Sequence, residues 1–189
     1  MKTETALLII DMQMEMQRRI DAGRPHVHPA APQRIGALAT AFRAAGLPVI
    51  HVRHAADDPA SPLHPDRPGY PAMPCTIALP GEAVFVKTTS SAFASTGMAA
   101  HLRERSITDL YVVGAVVGFC VNSTVRAGAD LGFRMVVVRD AVIGFDLPSA
   151  GLDAQTIFDV TMGLLEADFA ILSDSDAVIG DMASGLVHP

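Results

Sequence analysis

The amino-acid sequence predicts an α/β domain, doubly wound in three layers around a six-stranded, mainly parallel sheet. Two observations carry this. Short β-branched runs alternate with segments of helical periodicity along the 189 residues. The first of those runs is apolar throughout rather than alternating, the mark of a strand buried on both faces. The length fits one domain, residues 1–189, with a sizeable single core.

Each element has its own signal. "ALLII" (6–10) is the first strand. Met12, Met14 and Met16 follow it, and read as helix core packing before an adaptable pocket floor. "PQRIGALATAFRAAG" (32–46) places Ile35, Leu38, Ala39 and Phe42 at helical spacing and stops at Gly46. "LPVIHVRH" (47–54) is a second strand and "EAVFVK" (82–87) a third. "TGMAAHLRERS" (96–106) is a helix with Thr96 as its cap. "DLYVVGA" (109–115) is a fourth strand, "VNSTVRAGADLG" (121–132) a helix, and "FRMVVVRDA" (133–141) a fifth strand. "LDAQTIFDVTMGLLEA" (152–167) is a helix. "FAILSDSDAVI" (169–179) is expected as a sixth strand, its acidic end running into a solvated, frayed tail. Residues 55–82 break the alternation with seven prolines, and a loop that long reads as a lid or a subunit contact.

Composition bounds the partners. Half the residues are hydrophobic and 18% are charged, which suggests apolar surface buried between subunits. A net charge of -6 gives no electrostatic reason to expect nucleic acid or an anionic membrane. No run is long and apolar enough for a membrane helix, and the N-terminus lacks the pattern of a signal peptide. Two cysteines cannot build a disulfide framework, so a reduced, cytoplasmic setting is expected. Cys75 reads as a loop thiol, with a subunit contact as its expected use.

Ligands of an open parallel sheet bind outside the carboxyl ends of its strands. Strand one ends at Asp11, strand three at Lys87, and strand four turns through "GAVVG" into Cys120. Each alone has a bland use: a turn residue, a solvated strand end, an inert core thiol. Together they make a nucleophile with its support. A thiol before a helix is acidified by the helix dipole, and a neighbouring ammonium lowers its pKa further. Asp11 would take the thiol proton and return it to a leaving amine. The glycines of the turn would let backbone N–H groups form an oxyanion hole.

At these residues the chain resembles the isochorismatase-like cysteine hydrolases, the superfamily of nicotinamidases and N-carbamoylsarcosine amidohydrolases. "ALLIIDMQ" is similar to the opening strand and Asp-x-Gln. "LPGEAVFVKTTSSAF" resembles the lysine segment, and "VVGAVVGFCVNSTVRAGADLGF" the nucleophile motif. The resemblance implies the same six-stranded parallel fold, Cys120 as nucleophile, Asp11 as proton acceptor and donor, and Lys87 as electrostatic support. It places the oxyanion hole on the backbone N–H groups of Val116 and Cys120, and a cis peptide between Ala115 and Val116. It also implies a dimer or tetramer.

The departures narrow the substrate. Val117 stands where the motif has Thr, and Met16 where nicotinamidases often carry an aromatic. Their metal-binding Asp-x-His is replaced by "HVRH". His51 and His54, three apart on a strand, point to opposite faces and cannot chelate one ion. His26 and His28 read as loop residues. No metal and no cofactor is expected. Phe93, Val117 and Phe119 are expected to form an apolar pocket wall, with Ser91 and His54 as polar contacts. Arg53 and Arg126 are expected in scaffold salt bridges. The reading is a cysteine hydrolase that opens a C–N bond of a small amide, carbamoyl or ureido compound through a thioester. The alternatives are a noncatalytic binding scaffold and a vinyl-ether hydrolase that does not use the thiol.

Overall fold

A computed structural model of the chain describes residues 4–184. Six strands form one sheet: β1 (Glu4–Ile10), β2 (Val49–His54), β3 (Ala83–Lys87), β4 (Ile107–Ala115), β5 (Arg134–Ile143) and β6 (Ile171–Ser173). Their order is β3-β2-β1-β4-β5-β6, and all five pairings are parallel. Six helices accompany them: α1 (Met14–Asp21), α2 (Ala31–Ala44), α3 (Met98–Glu104), α4 (Asn122–Asp130), α5 (Ala154–Asp168) and α6 (Ser175–Ala183).

The apolar runs explain the three layers. Along β1, Leu8 and Ile10 point into one core with Met98 and Leu102 of α3, Val125 of α4, and Phe158, Met162 and Leu165 of α5. Leu7 and Ile9 point into the other, with Met16 of α1, Ile35, Leu38 and Phe42 of α2, and Val178 of α6. A strand apolar on both faces needs helices on both faces, and this chain supplies three for each. The chain winds outward from β1 through β2 to β3, then crosses to β4 and proceeds the other way. The crossover makes β1 and β4 neighbours at the topological switch point, where the strand ends open a crevice.

Three expectations change. The sixth strand is only three residues long, and the acidic stretch after it folds into α6 rather than fraying. Val178 is buried against α2, and the Asp140 carboxylate accepts the Ser175 N–H at 2.8 Å and the Ser175 hydroxyl at 2.6 Å. That carboxylate at the helix N-terminus, not a polar tail, is the use of Ser175. Thr96 lies one residue before the N-cap position of α3, held by Gly97, although its Oγ1 does accept the Met98 N–H at 3.1 Å. Arg53 and Arg126 make no ion pair among the described residues; Arg126 instead bonds Asn122 Oδ1 at 3.0 Å and lies over the Phe169 ring.

The proline-rich segment is tied to the start of α1. Pro71 and Gly69 carbonyls accept the N–H groups of Met14 and Glu15, and Met73 N–H donates to Met12 O. Those bonds satisfy the open N-terminal turn of α1 with backbone from a distant loop. Cys75 in this segment is half-buried and packs with the core layer that holds α2.

Candidate active site

The three strand ends meet at the switch point. Asp11 leaves β1 with φ 49°, in the left-handed region that an L-residue rarely occupies and that Asp tolerates better than most. β4 reaches its end through Gly114, at φ 120°, where a Cβ would lie 2.1 Å from the Ile10 carbonyl oxygen. Only glycine lets β4 come that close to β1. The Ala115–Val116 peptide is cis. A π turn, Val117–Val121, then carries Cys120 and leads into α4. The Val116 carbonyl accepts the N–H groups of Phe119 and Val121, at 3.0 and 3.3 Å, while its own N–H donates to no described residue.

Lys87 is the centre of the arrangement. It is fully buried, and its Nζ lies 2.7 Å from Asp11 Oδ2 and 3.2 Å from Cys120 Sγ. The same Nζ is 3.1 Å from the Thr89 carbonyl oxygen and 3.2 Å from His54 Nδ1. Asp11 is 3% exposed, and its Oδ1 has no hydrogen-bond partner among the described residues. A buried carboxylate oxygen with nothing to accept is uncommon, and the Cys120 thiol is the proton donor that lies beside this carboxylate.

Burial, more than charge, sets the ionisation. It pushes the Cys120 thiol up to about 11, reinforced by the Asp11 carboxylate and opposed by Lys87. This reverses the expected thiol acidification: the lysine's pull is smaller than the cost of placing a thiolate in a half-dry pocket beside a carboxylate. Burial also raises Asp11 above the usual carboxylate range, against the pull of Lys87. His54 is held below its ordinary value by burial first and then by the Lys87 charge. Burial thus favours the neutral thiol of Cys120 and raises the affinity of Asp11 for a proton.

The remaining site residues divide. His54 faces the lysine, while His51, on the other face of β2, bonds Glu82 at 2.9 Å. Ser91 Oγ accepts the Phe93 N–H at 3.2 Å and so serves the turn. The adjoining Ala92 N–H donates to Thr124 on α4, which fixes this turn against the helix that follows Cys120. Phe93 stacks on Phe133 with ring centroids 5.5 Å apart, and Val117 is fully buried against Gly144 and Val27. Both serve the core rather than an open wall, because the π turn rotates Val117 inward. Phe119 is turned outward and half exposed, onto a cavity of about 330 Å³ lined by Gly118, Leu147, Leu152, Ile157 and Val160 among others. Among the described residues no group of three or more His, Cys, Asp or Glu side chains is placed to hold a metal ion.

One residue had a motif but no assigned role. Gln13 is fully buried, and its amide donates to the carbonyls of His54 and Tyr70, at 3.0 and 2.8 Å. Its Oε1 accepts the His54 N–H at 2.9 Å. The Gln of Asp-x-Gln thus clamps the end of β2 and the proline-rich segment to the end of β1.

Comparison with known proteins agrees with this fold. Residues 5–178 match the isochorismatase domain. The chain is 28% identical to the isochorismatase family protein YrdC of Bacillus subtilis over 184 residues, covering 96% of this chain and 97% of that one. It is 32% identical to a streptothricin hydrolase of Streptomyces noursei, over 97% of this chain and 65% of that protein. An isochorismatase-family crystal structure from Chromobacterium violaceum superposes with a TM-score of 0.89 at 32% identity, covering 96% of this chain and 94% of that one. Fold, strand order and sequence match together place this chain in the isochorismatase family of hydrolases.

Proposed function

We propose that this chain is a cysteine-dependent amidohydrolase that cleaves the C–N bond of a small amide, carbamoyl or ureido compound. The observation that carries the reading is the buried Lys87 Nζ within 2.7 Å of Asp11 Oδ2 and 3.2 Å of Cys120 Sγ. The similarity to a streptothricin hydrolase adds support from a relative whose name is that of a hydrolase.

The chemistry follows from the ionisation. Substrate binding excludes water, and the Cys120 proton passes to Asp11, whose raised affinity makes it a competent base. The thiolate, held by the Lys87 N–H, attacks the carbonyl carbon. The oxyanion is received by the backbone N–H groups of Val116 and Cys120. Asp11 then gives its proton to the leaving nitrogen, the C–N bond breaks, and a thioester to Cys120 remains. Asp11, again a carboxylate, takes a proton from water as the water attacks the thioester. Collapse releases the acid, and Asp11 returns its proton to the Cys120 sulfur, restoring the thiol and the carboxylate. The whole chain acts as one domain, without metal or cofactor. The exposed Phe119, Leu152, Val160 and Leu164 favour a homo-oligomer.

The test is an ammonia-release screen over small primary amides, carbamoyl and ureido compounds, with Cys120→Ala as the control. Release that vanishes in Cys120→Ala supports the reading. Hydrolysis surviving that substitution would instead favour vinyl-ether or other thiol-independent chemistry.

A further inference from the structure

We propose that His54 is a positioning residue, whose Nδ1 lone pair and the Thr89 carbonyl together lock the Lys87 ammonium so that its third N–H lies between Asp11 and Cys120. The inference rests on the amidohydrolase reading for its kinetic consequence, though not for the contact itself.

An ammonium has three N–H donors and no lone pair. Lys87 Nζ has four neighbours within 3.2 Å: Asp11 Oδ2, the Thr89 carbonyl, Cys120 Sγ and His54 Nδ1. The Thr89 carbonyl is a fixed acceptor. His54 is fixed as well, because Gln13 holds both its N–H and its carbonyl. Those two take two donors and stop rotation about the terminal bond. The third is shared by the groups whose protonation alternates. With Asp11 ionised and the thiol neutral it bonds Asp11. As the thiol proton moves to Asp11, the better acceptor becomes sulfur, and the same N–H, already lying between the two, serves it without the lysine moving. The proton travels one way and the hydrogen bond the other.

His54 does this only with Nδ1 unprotonated, so its proton sits on Nε2. Protonation would aim a second cation at the ammonium from 3.2 Å and release the lock. The charged and titratable groups facing His54 are Lys87 from β3, Asp11 from the end of β1 and Asp57 from the following loop, with the Thr89 carbonyl beside it. The lysine is the nearest, and burial acts with it.

Two measurements on the full chain separate the possibilities. Nitrogen-15 NMR of the histidine rings reads the contact without any turnover. The Nε2–H tautomer is expected for His54, titrating below an ordinary histidine and shifting upward in Lys87→Met. An Nδ1–H tautomer, or a titration indifferent to Lys87→Met, overturns the proposal. Kinetics with a substrate from the ammonia screen then read the consequence. His54→Ala is expected to lose kcat on the order of a hundredfold with KM little changed. His54→Asn, which returns an oxygen acceptor at the Nδ1 position, is expected to recover most of that loss and to keep only the acid limb that Asp11 protonation imposes. A rise in KM alone, or an acid limb unchanged from wild type in His54→Asn, would make His54 a substrate contact and overturn its positioning role. If no substrate turns over in any form, the amidohydrolase reading fails, while the NMR result still decides the contact.

Discussion

Lys87 and Asp11 form a buried ion pair, 2.7 Å between Nζ and Oδ2, in which the carboxylate's other oxygen is left without a partner. Such a pair stabilises little on balance, yet removing one member strands the other charge in a dry site. Lys87→Met should therefore destabilise the fold by about 3–5 kcal/mol, or drive Asp11 to its neutral form. Adding Asp11→Asn should restore part of that loss. Urea unfolding of both single variants and the double variant checks it; losses that simply add would contradict the pairing.

The thiol should be slow until the solution is alkaline. Its pKa of about 11 means the folded site holds the proton through neutral pH. Iodoacetamide modification of Cys120, followed on its own peptide to separate it from Cys75, should rise about tenfold per pH unit between 7 and 10. Because the folded value lies above that of an unfolded cysteine, the associated stability is present at lower pH. It is lost as pH rises through the folded value. An inflection below pH 8 would contradict this ionisation.

Gly114 should tolerate no side chain. Gly114→Ala would place a methyl 2.1 Å from the Ile10 carbonyl oxygen at φ 120°, and should cost more than about 4 kcal/mol. Gly163→Ala on α5, where a Cβ meets nothing within 4 Å, should be stabilising by roughly 0.5–1 kcal/mol. Thermal unfolding of the two variants should move in opposite directions.

Gln13→Ala should loosen the proline-rich segment before it unfolds the chain. It leaves the His54 and Tyr70 carbonyls and the His54 N–H unpaired, at about 1–3 kcal/mol for each group that water cannot reach. Subtilisin cleavage within residues 57–68 should quicken relative to wild type. An unchanged cleavage rate would show that the segment is held by its own packing.

The fold was legible because its signals are local. The apolar run of β1, the Gly46 helix stop and the strand–turn–helix around Cys120 each declare themselves within a dozen residues. The last helix was not, because "SDSD" reads as a polar loop until Asp140, 35 residues away, receives the Ser175 N–H. The site was legible as three strand ends plus a quoted motif. Its electrostatics were not: the helix and lysine favour a thiolate, and only the depth of burial reveals that desolvation wins. Val117 and Phe93 look like pocket residues by proximity in sequence to Cys120 and Lys87, and the π turn and the Phe133 stack take them into the core. The links from Gln13 to His54 and from His54 to Lys87 join residues more than 30 positions apart and carry no local signature.

The central claim is that Cys120 carries the substrate's acyl group. It is tested most directly by acid-quenching a single turnover of an active amide and weighing the Cys120 peptide. The account predicts a transient mass increase equal to the acyl fragment on that peptide, absent in Cys120→Ala. Turnover that proceeds at the wild-type rate in Cys120→Ala, with no adduct at any time, would contradict it.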